Sequence, residues 1–235
     1  SRGLGDVYKR QDTYSAWAVR EASGISEGDK LLTFSKIRAA SQIMANLPYV
    51  KGVRIGIKLP DTVNIMIEEE SVVYAIKSSD GQWWMMDSDG RVVEQANNAK
   101  AATATQVLGV TLEAPTVNEK GVATEMTPSE TNELGELIPV STTGAQRLTA
   151  ALQILKALEN NDIVGEAASV DVTSTEDIIL WYGTRYQVNL GDTSRLDYKV
   201  DCMNDAILQM SDYQSGVLDI SFTIWPNQVG YTPFA

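Results

Sequence analysis

Gly24-Ile25-Ser26-Glu27-Gly28 has the G-x-S-x-G spacing of a nucleophile elbow, in which a serine on a sharp strand-to-helix turn passes its proton to a histidine. A helical pattern precedes the motif and the chain contains no histidine, so the two glycines are read as a helix C-cap and a turn. Asp87-Ser88-Asp89-Gly90 opens like a calcium loop but lacks the later oxygen ligands and the closing glutamate, and is read as a hairpin turn. Glu68-Glu69-Glu70 offers three carboxylates, yet consecutive strand residues point to opposite faces and do not pair as acid and base. Trp83-Trp84 and Met85-Met86 could line a ligand pocket; strand alternation instead sends one of each pair to the core. Cys202 is the single cysteine, which rules out an internal disulfide or a Cys-x-x-Cys site and suits a small apolar packing residue. No catalytic residue, cofactor or metal ligand set is expected from these patterns.

Composition narrows the classes further. A chain of 235 residues with 43% hydrophobic content can bury one sizeable core or two smaller ones without staples. The net charge of -12 and the absence of a basic stripe interleaved with aromatics argue against nucleic acid. Lacking histidine, the chain also lacks the commonest general base near neutral pH and the commonest nitrogen ligand for zinc. The missing disulfide leaves the compartment open, because a core of this size needs none. No stretch reaches the roughly 18 apolar residues of a membrane span, and no signal peptide opens the chain. Residues 1–11, SRGLGDVYKRQ, have no periodicity, and 6–11 resembles the translation of a transposon adapter used in sequencing libraries. They are expected to be a non-native scar, with the natural N-terminus and any membrane anchor lying upstream.

The remaining pattern specifies an α+β chain. Ala16, Val19 and Ala22 recur at helical spacing over 15–23, and Gly24 followed by Ile25 is a helix stop. A second helix is expected over 35–46, with Phe34 stapling its start and Pro48 ending it. The period then changes to two. Val53, Ile55 and Ile57 alternate with polar residues or glycine, as do Val63, Ile65 and Ile67 after the turn at Leu59-Pro60-Asp61, which predicts an antiparallel hairpin covered by the two helices. Strands follow at 72–77, 83–86, 91–94 and 107–112, with 95–105 and 113–136 as polar connections, the second long enough to be mobile. Thr143-x-x-Gln146 is a capping box opening a helix that Asn160-Asn161 closes. Strands at 169–172, 177–181 and 186–190 precede a helix launched by Gly191-Asp192, which presents Leu196, Val200, Met203 and Ile207.

The end of the chain is the most informative part for function. Leu218, Ile220, Phe222 and Ile224 alternate with Asp219, Ser221 and Thr223, predicting a last strand that Pro226 ends. A terminal strand at a sheet edge offers backbone groups to a partner strand, and Phe222, Trp225 and Tyr231 cluster within ten residues of one another. The alternative is that Phe222 belongs to the core and 226–235 is an unstructured tail.

Several ordered motifs carry a family resemblance. Tyr14-Ser15, Glu21-Ala22-Ser23-Gly24-Ile25, Gly28-Asp29-Lys30-Leu31-Leu32, Leu47-Pro48-Tyr49-Val50 and Leu59-Pro60-Asp61-Thr62-Val63 ahead of Ile67-Glu68-Glu69 resemble the POTRA domain of FtsQ/DivIB cell-division proteins. Asp87-Ser88-Asp89-Gly90, Leu190-Gly191-Asp192 and Leu218-Asp219-Ile220 resemble turns and the final strand of that family's second domain. The resemblance implies a POTRA domain over 12–70 without its opening strand, and a mostly antiparallel β domain with two longer helices over 71–225. It further implies a non-enzymatic divisome scaffold held in the cell membrane by a single N-terminal span, with this portion outside the cytoplasm. The implied partners are FtsB/DivIC-like and FtsL-like proteins, one of which adds a strand beside the last strand. Phe222, Ile224, Trp225 and, after Val229-Gly230, Tyr231 fall at the implied contact, while Ser221 stands where some members carry a basic residue. Two other readings stay open: a POTRA-bearing protein of another envelope-assembly pathway, and an extracytoplasmic carboxylate-dependent hydrolase with two acidic residues facing one cleft.

Overall fold

In the computed structural model of the chain, the residues described are 7–9, 14–29, 35–70, 72–125, 129–131, 135, 137–139 and 142–235. They form two compact units, divided between Val72 and Val73.

In the first unit, α1 (Ala16–Ser23) begins where the Ser15 hydroxyl accepts from the Ala18 N–H, and ends where Gly24 turns left-handed at φ 70°. Gly24 and Gly28 therefore do serve a cap and a turn rather than an elbow. Helix α2 (Lys36–Asn46) is capped the same way by Ser35; Phe34, expected to staple it, lies outside the described residues. Strands β2 (Val50–Lys58) and β3 (Thr62–Glu69) pair antiparallel, with Ile55 opposite Ile65 and Ile57 opposite Val63. Val19 and Ile43 of the helices, with Leu47, bury the face formed by Val50, Val63, Ile65 and Ile67. Each such side chain stabilises the unit by about 1.5–3 kcal/mol relative to exposure.

One expectation is corrected here. The place of the opening strand is filled, because β1 (Val7–Lys9) runs parallel to β3 and sets Val7 opposite Ile65 and Lys9 opposite Ile67. The far edge of β3 leaves backbone donors and acceptors that any extended segment can satisfy, whatever the origin of its sequence. The acidic run behaves as alternation requires: Glu69 is buried and accepts from the Tyr14 N–H, whereas Glu68 is exposed beside Lys51.

The second unit is built on one sheet of nine strands among the described residues, in the order β14-β13-β12-β11-β10-β7-β4-β5-β6. Its strands are β4 (Tyr74–Ser78), β5 (Trp83–Met86), β6 (Val92–Ala96), β7 (Gln106–Leu112), β10 (Ala167–Asp171), β11 (Ile178–Tyr182), β12 (Tyr186–Gly191), β13 (Gly216–Asp219) and β14 (Gly230–Pro233). A separate pair, β8 (Ser129–Thr131) and β9 (Leu137–Pro139), lies outside that sheet. Five of the eight sheet junctions are antiparallel; β4·β7, β7·β10 and β12·β13 are parallel. A parallel junction needs a crossover: α4 (Gly144–Asn160) lies in the one between β7 and β10, α5 (Leu196–Leu208) in the one between β12 and β13, and the stretch holding β5 and β6 connects β4 to β7.

Helix α4 opens with both halves of the capping box, Thr143 accepting from the Gln146 N–H and Gln146 accepting from the Thr143 N–H. Leu148, Ile154, Leu155 and Leu158 are buried beneath it. Thr143→Ala is expected to lower stability by about 1 kcal/mol, measurable by urea denaturation, with the sheet core intact.

Other differences have local causes. Polar 95–105 contains a short helix, α3 (Asn98–Ala102), because the Asn97 side chain caps it at the Lys100 N–H and Ala101 is fully buried. Part of the long connection is anchored rather than loose: the Val92 N–H donates to the Glu119 carbonyl and the Asn118 N–H to that of Val92, laying 118–119 along β6. Met85 and Met86 are both buried, so the sheet is covered on both faces at β5, and Trp83 and Trp84 stay half-buried. The turn at 87–90 is a hairpin turn, its Asp87 carboxylate accepting from the Asp89 and Arg91 N–H groups.

Candidate functional site

The last strand does not run through Phe222. Strand β13 stops at Asp219, whose carboxylate accepts from the Ser221 N–H at 2.9 Å and from the Ser221 hydroxyl at 2.6 Å, folding the chain back on itself. Leu218 and Ile220 are buried as the alternation predicts; beyond them Phe222 adopts φ 60°, a backbone state uncommon for a residue with a Cβ. Its ring packs on Tyr198 of α5, with centroids 5.7 Å apart.

The chain then returns as β14, antiparallel to β13, with Leu218 opposite Tyr231 and Asp219 opposite Gly230. The tail is thus ordered, and four contacts hold it. Tyr231 donates its hydroxyl to the Ser215 carbonyl at 2.9 Å; Phe234 stacks on Trp181 of β11 at 6.1 Å; the Trp225 ring lies so close over Gly230 that an added Cβ would sit 2.1 Å from it. The fourth is Arg195, which donates to the Asn227 side chain at 2.8 Å while its guanidinium lies over the rings of Tyr198 (4.5 Å) and Phe222 (5.4 Å).

Strand alternation decides which groups face outward. The Phe234 N–H donates to the Ser215 carbonyl, and the Gly216 N–H to the Arg185 carbonyl of the chain leading into β12. Odd-numbered residues of β13 therefore face β14, and their partners Gly230 and Thr232 face back. Tyr231 and Pro233 are left pointing to the open side. Proline has no N–H, so the free edge presents the Tyr231 N–H and the carbonyls of Tyr231 and Pro233. Around it Ile224 is 66% exposed, Trp225 44% and Tyr231 37%.

Of the four residues singled out from sequence, Trp225 and Tyr231 are brought to the start of β14. Phe222 reaches the same region only through Arg195, and Ile224 stands exposed on the connecting loop. Arg195 and Phe234 were not foreseen. Arg195 sits at the left-handed N-cap of α5, a helix start that the Gly191-Asp192 turn does announce. Nearby, Lys199 is 1% exposed and donates its ammonium to the Asp192 carbonyl (3.0 Å) and carboxylate (3.2 Å). Hydrogen bonds from Ser194, and then from Lys199, hold the Asp192 carboxyl below its ordinary pKa.

Residues 10–70 match the POTRA domain, FtsQ-type. The cell division protein DivIB of Clostridium tetani is 24% identical over 208 residues, which is 87% of this chain and 70% of that protein. Both matches support membership of the FtsQ/DivIB family. DivIB of Clostridium acetobutylicum is 29% identical over 94 residues, or 40% of this chain and 37% of that protein. Cell division protein FtsQ of Corynebacterium glutamicum is 35% identical over 75 residues, or 32% and 33%. The FtsQ/DivIB assignment agrees with the α+β architecture, a POTRA unit followed by a mostly antiparallel sheet carrying two long helices. No helix among the described residues is long and apolar enough to cross a membrane.

Proposed function

We propose that the chain is the extracytoplasmic part of a non-enzymatic divisome scaffold, tethered to the cell membrane by an N-terminal anchor outside this sequence. In this reading the POTRA domain covers 12–70 and the β domain 71–225, with 226–235 supplying the docking strand. The partners are FtsB/DivIC-like and FtsL-like division proteins, and one of them adds a strand to the open side of β14. The observation that carries this reading is the outward pair of backbone groups at Tyr231, flanked by exposed Ile224 and Trp225. Relatives named as cell division proteins support it.

The test is calorimetric titration of the chain with a peptide from the C-terminal tail of the same organism's FtsB/DivIC-like protein. Saturable binding is expected. Tyr231→Ala should weaken it about tenfold or more by removing a contact ring, and Phe222→Ala should weaken it less, because that ring steadies the loop through Arg195. Absence of binding by the folded wild-type chain would put the site elsewhere.

A further inference from the structure

Away from that edge, β7 departs from the regular ladder. Ile76 of β4 stands opposite Val107, but Ser78 stands opposite Leu112, so 108–111 bulges away from the β4 ladder while Leu108 stays paired with Asp171 of β10. The bulge opens a cavity of about 450 Å³. Its polar wall includes Lys77, Gln106, Thr111, Thr124 and Arg147, its apolar wall Trp83 with Val107, Leu108 and Val110, and no carboxylate lines it.

Arg147 is the unusual member. It is only 8% exposed, its Nε is buried without a hydrogen-bond partner, and no carboxylate pairs with its guanidinium among the described residues. Guanidinium cannot shed its proton to relieve the cost of burial, so an unpaired one is costly unless an anion joins it. Its planar fork matches the two oxygens of a carboxylate. Lys77, also on the lining, is exposed, and its ammonium stands 5.1 Å above the Trp83 ring and supplies a second positive charge. In a chain of net charge -12, two cations and no acid in one cavity is a local reversal.

We infer that this cavity is a binding site for a carboxylate attached to an apolar group, with Arg147 holding the carboxylate, Lys77 adding charge, and Trp83 and Leu108 packing on the apolar portion. The site is separate from the β14 edge and does not depend on the function proposed for it. A free organic acid and an acidic side chain of a peptide both present this chemistry.

Three probes test it by calorimetry: N-acetyl-L-leucine, its uncharged amide, and the peptide acetyl-Leu-Glu-Leu-amide. The acid is expected to bind one-to-one and the amide at least about tenfold more weakly. Binding of the blocked peptide would identify an acidic side chain as the source, and binding of the acid alone a free acid or chain end. Arg147→Met should reduce acid affinity about tenfold or more, Lys77→Gln by a smaller factor, and Tyr231→Ala not at all. Arg147→Met should also raise the melting temperature, since it removes an unpaired buried charge. Equal binding of acid and amide, no binding of either carboxylate probe, unchanged binding by Arg147→Met, or a lowered melting temperature in that variant would each overturn the assignment.

Discussion

Gly109→Val is expected to unfold the second unit, or to leave it barely folded. Gly109 has φ +89°, where an L residue is strained and a β-branched one more so, at about 1–2 kcal/mol from the backbone alone. The larger effect is contact: a Cβ there would lie 2.3 Å from the Thr173 nitrogen and 2.6 Å from its hydroxyl. Neither neighbour can retreat freely. The Val172 N–H is bonded to the Leu108 carbonyl and Val172 is fully buried, so moving Thr173 away strains the β7·β10 junction at the middle of the sheet. A combined loss above about 4 kcal/mol is expected, a large share of the roughly 5–15 kcal/mol that holds a typical domain. Gly81→Val provides the control, because Gly81 has φ +84° and nothing within 4 Å of the added carbon. Urea midpoints should fall modestly for Gly81→Val and severely for Gly109→Val. Similar losses in both would mean that Thr173 yields easily and that the bulge is not clamped as argued.

The second large effect concerns binding rather than stability. Ending the chain at Gln228 removes β14, whose own residues are mostly exposed, and leaves in place the buried Leu218, Ile220, Val188 and Leu180 of the neighbouring strands and loop. The truncated chain should therefore fold, with its melting temperature lowered by a few degrees for the lost Phe234–Trp181 stacking and the β13 ladder. If the partner strand adds to β14, the truncation deletes both the acceptor edge and Tyr231, and affinity for the partner peptide should fall roughly a hundredfold. A rise in affinity would instead show that β14 occupies the partner's own place beside β13, and would refute the proposed geometry. Gly216→Val gives the same comparison without shortening the chain, since its Cβ would meet the Thr232 carbonyl at 2.2 Å.

What could be read from the residues follows the range over which each feature is determined. The β2–β3 hairpin and the α4 capping box are local, so alternation and a four-residue spacing revealed them. The extents of α1 and α2 were legible for the same reason, though not the capping roles of Ser15 and Ser35. The end of β13 was not, because Leu218, Ile220, Phe222 and Ile224 keep perfect alternation while the Asp219 side chain diverts the backbone beneath them. Nothing in residue type or spacing marks Arg147 or Lys199 as buried. Their burial is imposed by packing between segments remote in sequence, and only Lys199 finds its partners within its own neighbourhood. Helix α3 escaped notice because five residues are too few for a periodic signal, and its cap, Asn97, also suits a loop.

The two ends of the nine-stranded sheet are not equivalent. At β6, the 118–119 segment already occupies both backbone groups of Val92, and Glu94 carries a charge paired with Lys100, so an incoming strand has little ladder to join. At β14, Pro233 shortens the open stretch to the groups around Tyr231. Head-to-tail polymerisation through this sheet requires two receptive ends on every copy, and among the described residues it has one. Its valence is one: among the described residues, a strand added at β14 would leave this sheet with no second open end from which a ladder could grow.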